Sequence, residues 1–294
     1  MKYLAPEDYI NFIDQYETFL FDCDGVIWQG TQLIPKVASV LKKLQEKNKR
    51  ILFVTNNASK SRAQYLSKFT SLGIEIKVDQ IFGSAYCAAY YMANTLKFPT
   101  NKKVYVIGMS GITEELQEVG IQYVGAHLDN EPFHDMSEMG LVKENLESDV
   151  GAVLLGFDLH INYKKFANAY SHLMDPECLF LATNSDLTFP VQGGTLPGTG
   201  SFLSALGLVA KRTPLVLGKP HQPMLDCIVD KFHLNRERTC MVGDRLDTDI
   251  AFGKMGGVGT LLVMTGVTKK EGLEESTIKP DFVIDSLGMF DDRI

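Results

Sequence analysis

The chain has 294 residues, of which 45% are hydrophobic and 22% charged, the balance of a folded globular protein rather than a disordered or fibrous one. Its 36 acidic and 29 basic residues leave a net charge of -7, which argues against nucleic-acid and anionic-membrane partners, since both select for basic surfaces. A chain this long approaches the roughly 250 to 300 residues at which a single core stops growing, so two domains are expected.

The N-terminal stretch MKYLAPEDYINFIDQYE carries charges throughout and reads as no secretory signal. The five cysteines (Cys23, Cys87, Cys178, Cys227, Cys240) are odd in number and form no CxxC pair. A disulfide framework or zinc site is therefore not expected, and a reducing, cytoplasmic location is.

Short apolar runs then alternate with helical patterns. Thr18 to Phe21 predicts a strand and Val37 to Gln45 the helix after it. Ile51 to Val54 predicts a second strand, Ser61 to Leu72 a helix closed by Gly73, and Gln80 to Phe82 a strand before a helix from Ala85 to about Leu96. A second series opens after a polar stretch near Pro99 to Lys103. It comprises strands at Val104 to Ile107, Ala152 to Leu155 and Leu179 to Ala182. Its helices lie near Glu114 to Val119, Tyr163 to Met174 and Ser201 to Ala210, the last after a loop from Val191 to Gly200. Leu215 to Leu217, a helix from Pro223 to Phe232, Cys240 to Val242, a helix from Thr248 to Lys254 and Leu261 to Met264 resume the first series. Such alternation predicts an α/β fold, a Rossmann-like parallel-sheet core with an inserted α/β cap. The boundaries read as core at 1–100 and 213–294, and cap at 101–212.

Ligands of open parallel sheets bind beyond the carboxyl ends of the strands, and four core strands end in polar groups. Asp22 and Asp24 leave the first strand two residues apart, so both point into one crevice. Held close, like charges resist ionising together, and a hard divalent cation with oxygen ligands, Mg²⁺, answers that. Thr55, Asn56 and Asn57 end the second strand with a hydroxyl, two amides and free N–H groups suited to phosphate oxygens; alone, they read more simply as a helix cap and Asx-turn. Lys219, held extended before Pro220, offers an ammonium, or is a surface lysine. Asp244 heads the acidic loop GDRLDTD, where Asp247 suits a helix cap and Asp244 a further metal ligand.

At these residues the chain resembles the haloacid dehalogenase superfamily of aspartate-nucleophile phosphatases, through DCDGV and GDRLDTD. The insertion and the segments PGTGS and GKP resemble the 4-nitrophenylphosphatase, phosphoglycolate phosphatase and pyridoxal phosphatase group. The resemblance implies a phosphatase acting on a small phosphorylated metabolite through an aspartyl-phosphate. Asp22 would be the nucleophile and Asp24 the acid and base. Thr55, Asn56, Asn57 and Lys219 would bind the phosphoryl group. Mg²⁺ would sit on Asp22, the Asp24 carbonyl and Asp244, with Asp249 behind them. A homodimer through the cap is compatible with it.

Phe189 stands where the pyridoxal phosphatase branch is expected to carry histidine before the cap proline, which favours phosphoglycolate or similar acid phosphates over pyridoxal phosphate. The rival readings are a phosphotransferase or mutase on the same scaffold and a receiver-like phospho-acceptor module. The latter needs no inserted second domain. Trp28 reads as packing and Cys23 as a small buried residue.

Overall fold

The computed structural model describes residues 1–142, 144–191 and 193–294. They form two compact units, one of Met1–Thr55, Tyr65–Phe82 and Lys219–Ile294, the other of Asn56–Gln64 and Gly83–Gly218. No helix among the described residues is long and apolar enough to cross a membrane.

The first unit is built on a seven-stranded sheet. Its spatial order is Lys2–Tyr3, Phe282–Ile284, Gly259–Val263, Thr239–Gly243, Thr18–Phe21, Arg50–Thr55 and Ile81–Gly83. The pairings from Lys2–Tyr3 across to Arg50–Thr55 are parallel. Thr18–Phe21 is buried at all four positions, as a central parallel strand covered on both faces must be. The helix Val37–Glu46 buries Val37, Val40, Leu41 and Leu44, an i, i+3, i+4, i+7 face. Phe19, Phe21, Phe53, Phe69 and Trp28 belong to the apolar core around them.

From Thr18–Phe21 the chain proceeds to Arg50–Thr55 on one side, whereas Thr239–Gly243 fills the other. Strand order reverses at this point, and the crevice of a doubly wound sheet opens there.

The second unit carries a five-stranded parallel sheet in the order Leu215–Val216, Leu179–Ala182, Val150–Leu155, Lys103–Ile107 and Gln122–Gly125. Leu215–Val216 thus departs from its expected place with the first series. It pairs Leu215 with Leu181 and Val216 with Ala182, and only at Lys219 does the chain rejoin the first unit. A two-residue edge strand has too little pattern to declare its sheet. The expected loop from Val191 to Gly200 also differs, because Thr188–Val191 pairs antiparallel with Gly194–Pro197. Most of this hairpin is exposed, so no apolar alternation announces it.

Two predicted helices contain π turns. Ser84–Tyr90 continues as the π turn Tyr91–Thr95, and the π turn Leu246–Ile250 precedes the helix Ala251–Met255. The second carries Asp249.

Candidate active site

Asp22 follows Phe21 directly, and its N–H extends the sheet by donating to the Val242 carbonyl at 2.9 Å. Lys219, the first residue after the second unit, is 2% exposed. Its Nζ donates to Asp22 Oδ1 at 2.6 Å, to the Val54 carbonyl at 2.8 Å and to Asp249 Oδ1 at 2.8 Å. Three acceptors match the three protons of an ammonium. Lys219 is therefore no surface lysine.

Asp249 owes its direction to the π turn. The N–H groups of Asp249 and Ile250 both donate to the Arg245 carbonyl, each at 3.1 Å, which widens the turn. Asp249 Oδ2 then accepts from the N–H groups of Asp244 and Arg245 at 3.1 and 3.0 Å. One carboxylate thus closes the strand-end turn and holds the ammonium.

Asp244 is gripped by a loop that has no signature in the sequence. Its Oδ2 accepts from the Val267 N–H at 2.6 Å, and its carbonyl accepts from the Thr268 N–H at 3.1 Å. Thr265 Oγ1 donates to the Gly25 carbonyl at 2.6 Å, which ties the same loop to the turn after Asp24. Gly25 has φ +89°, and a Cβ there would stand 2.6 Å from Asp244 Oδ2. Only glycine fits that turn without strain.

Asp24 is half exposed, with Lys68 Nζ 4.0 Å from its carboxylate. Its Oδ1 accepts from Trp28 Nε1 at 2.8 Å. Trp28 is fully buried, edge-on to Phe69 at 4.8 Å, with Lys68 Nζ 3.8 Å from the ring centroid. Packing was the expected role of Trp28; its hydrogen bond to Asp24 was not foreseen, nor was Lys68. Thr55 ends its strand buried and is hydrogen-bonded to the Tyr65 side chain.

Asn56 and Asn57 fall in the second unit. Asn56 Nδ2 donates to Asp186 Oδ2 at 3.1 Å. Asn57 Oδ1 accepts from the N–H and hydroxyl of Ser59 at 3.0 and 2.6 Å, a local Asx-turn. Asp247 binds Arg245 Nε and Nη2 at 3.1 and 2.8 Å, an exposed pair outside the buried cluster.

The electrostatics follow from burial. Burial pushes Asp22 well above the usual carboxylate range, Lys219 pulls it back, and Asp249 and Asp244 push it up again. Burial first and Asp249 second drive Asp244 up to about 7, against the Val267 N–H. Burial works against the charge of Lys219, but Asp22 and Asp249 overcome it and hold the ammonium protonated above its ordinary range. Burial and the neighbouring acids keep Cys23 a thiol, which suits a packing residue.

Asp22, Asp244 and Asp249 are all buried, with ligand oxygens within 4.8 Å of one another. Three carboxylates facing one ammonium leave an excess of two negative charges when all are ionised. Burying that excess is costly, and a divalent cation on hard oxygen donors balances it. The donor set fits Mg²⁺.

Residues 19–122 match the haloacid dehalogenase-like hydrolase family and residues 216–289 an HAD-hydrolase-like family. The chain is 42% identical over 289 residues to a 4-nitrophenylphosphatase of Schizosaccharomyces pombe, covering 97% of each. It is 46% identical over 282 residues to the chloroplastic phosphoglycolate phosphatase 1A of Arabidopsis thaliana, covering 95% of this chain and 77% of that one. The crystal structure of 4-nitrophenylphosphatase from Thermotoga maritima superposes with TM-score 0.81 at 31% identity, over 95% and 98% of the two chains. That of a Mycobacterium tuberculosis glycerol phosphate phosphatase in complex with magnesium gives 0.79 at 26% identity, over 95% and 77%.

The chain belongs to the haloacid dehalogenase-like hydrolases. Within them it is a phosphoric monoester hydrolase, of the group that holds the 4-nitrophenylphosphatases and phosphoglycolate phosphatases.

Proposed function

We propose that this phosphatase hydrolyses small-metabolite phosphate monoesters, 2-phosphoglycolate or a similar acid phosphate, with Mg²⁺ and through an aspartyl-phosphate on Asp22. The supporting observation is the surplus of acids at the strand ends, where a buried ammonium fixes one oxygen of Asp22 inside a cluster of three buried carboxylates. Mg²⁺ held by the carboxylates of Asp22 and Asp244 and the Asp24 carbonyl would neutralise that excess and withdraw charge from the phosphoryl oxygens.

Asp22 attacks phosphorus while the bond to the ester oxygen breaks, and Asp24 gives that oxygen its proton. Asp24 then takes a proton from water, which attacks the same phosphorus; the Asp22–phosphorus bond breaks and inorganic phosphate leaves. Thr55, Lys219 and the N–H groups after Thr55 hold the equatorial oxygens as charge spreads over them. Asp249 orients Lys219. The first unit acts as the catalytic core, and the second as a cap that selects the substrate and excludes water. The named activities of the relatives support a small phosphate ester, and Phe189, which stacks edge-on against Phe157 at 5.0 Å, speaks for an apolar patch in the cap rather than a histidine contact. The five cysteines, all buried, support a reducing, cytoplasmic setting.

Asp22→Asn is expected to abolish release of 4-nitrophenol from 4-nitrophenyl phosphate while leaving the unfolding curve in place; turnover near the unsubstituted rate removes the nucleophile. EDTA is expected to silence the enzyme and Mg²⁺ to restore it; undiminished activity in chelator removes the metal.

A further inference from the structure

The chain passes from the first unit to the second between Thr55 and Asn56, and returns between Gly218 and Lys219. Both passages border a residue read above as binding phosphate. Inside the second unit, the two flanking residues Asn56 and Gly218 meet at one turn, Thr183 to Asp186. Asn184, 4% exposed, donates from Nδ2 to the Asn56 carbonyl at 2.9 Å. Asp186 Oδ2 accepts from Asn56 Nδ2 at 3.1 Å. A Cβ on Gly218 would stand 2.8 Å from Asn56 Oδ1 and 3.1 Å from Asn184 Cβ, so the two chain passages lie against each other with no room for a side chain.

The turn itself is held from behind. Asp186 N–H donates to Asn184 Oδ1 at 3.1 Å, and the Asp186 carbonyl accepts from the Gly200 N–H at 2.9 Å. The Leu187 carbonyl accepts from the Gly198 N–H at 2.8 Å and from Ser201 Oγ at 2.7 Å. The PGTGS segment therefore anchors a rigid turn, and the turn grips Asn56.

We propose that Asn184 and Asp186 are positioning residues for phosphate binding: by fixing Asn56 against Gly218 they set the backbone of Thr55 and Lys219. Neither side chain needs to touch substrate. The inference rests on the phosphate-binding reading of Thr55 and Lys219. It also gives Asn56 a different task from direct contact, because its amide is engaged with Asp186.

Three substitutions separate the clamp from general stability. Asn184→Asp keeps the size and the oxygen that Asp186 N–H uses, but turns an oxygen towards the Asn56 carbonyl. Asp186→Ala removes the acceptor for Asn56 Nδ2, and Asp186→Asn keeps one. Hydrolysis of 4-nitrophenyl phosphate and competitive inhibition by inorganic phosphate are measured at saturating Mg²⁺, with unfolding midpoints alongside. Losing one buried hydrogen bond to the clamp raises both KM and the phosphate inhibition constant about tenfold in Asn184→Asp and Asp186→Ala, with Asp186→Asn within about twofold of the unsubstituted enzyme. In an Asn56→Ala background, Asp186→Ala adds little, because the amide that Asp186 accepts from is already gone.

Unchanged KM and phosphate inhibition in folded Asn184→Asp overturn the proposal, as does full additivity of Asp186→Ala with Asn56→Ala or an Asp186→Asn as impaired as Asp186→Ala. If Asp186→Ala does not fold, the isosteric Asn184→Asp decides alone. An active Asp22→Asn would sink the catalytic reading instead; an inactive Asp22→Asn beside a normal Asn184→Asp sinks only the clamp.

Discussion

Lys219→Met removes the ammonium and nearly preserves the volume. Asp22 and Asp249, 9% and 1% exposed, then face each other and Asp244 with no buried cation between them, and the Val54 carbonyl loses its donor. Breaking a buried pair by deleting one partner costs about 3–5 kcal/mol, most of it the stranded charge. At about 2–4 °C per kcal/mol for a large domain, the melting temperature in EDTA falls by roughly 6–20 °C. The single tryptophan, Trp28, is buried in the same unit and bonded to Asp24, so its fluorescence during urea unfolding reports the affected core. Adding Asp249→Asn removes one stranded charge: harmful alone, it should stabilise the Lys219→Met chain, a coupling of roughly 0.5–3 kcal/mol. A loss below about 1 kcal/mol in Lys219→Met would refute the claim that the ammonium offsets buried carboxylate charge. Additive behaviour of the pair would refute the geometry.

Two further outcomes follow from other residues. Gly25→Ala places a methyl at φ +89° and 2.6 Å from Asp244 Oδ2; the left-handed backbone alone costs about 1–2 kcal/mol, so the Mg²⁺ concentration for half-maximal activity should rise about tenfold, and an unchanged titration would contradict the packing. In the second unit, burial lowers His172 from 6.5 to about 4, with Glu147 and Asp129 opposing and the Tyr105 ring 5.2 Å away. Between those values the unfolded chain binds a proton that the folded chain refuses, so stability is complete above about pH 6.5 and falls towards pH 4. The difference of 2.5 units (6.5 less 4) amounts to about 3 kcal/mol at most. His172→Gln should lose less stability than the unsubstituted protein between pH 7 and 4.5 in urea titrations, and parallel curves would refute the burial effect.

The strand-end residues were legible because an apolar run followed by a charged group is a local pattern, and parallel sheets put such groups at one end. Asp22, Lys219, Asp244 and Asp249 meet in space although up to 227 positions separate them in the chain (249 less 22). What stayed hidden is carried by the main chain. Val267 and Thr268 hold Asp244 through N–H groups that every non-proline residue owns. The π turn that aims Asp249 is a widening by one hydrogen bond, which no residue type announces. The helix Tyr9–Gln15 buries Tyr9, Phe12 and Ile13 along one face, but seven residues are too short a stretch of that period to declare a helix. For Asn57 the plainer reading describes the side chain seen, a turn-forming amide bonded to Ser59.

Stability and chemistry draw on the same contacts here. Asp249 would be a poor choice if folding alone mattered, since an apolar side chain of similar volume avoids burying a charge. Its two oxygens instead join the Asp244 and Arg245 N–H groups to Lys219, so the turn that ends one strand and the ammonium that serves its neighbour are fixed by one group. Asp22 is aligned by that ammonium, while the loop through Thr265, Val267 and Thr268 pins Asp244 and the turn after Asp24 together. A carboxylate attacks phosphorus well only when it is held in line and its charge is offset. The cluster supplies the holding from protein groups alone; without a cation its burial is met by protons, since Asp22 is pushed well up and Asp244 to about 7, so a divalent cation would bind there in exchange for protons.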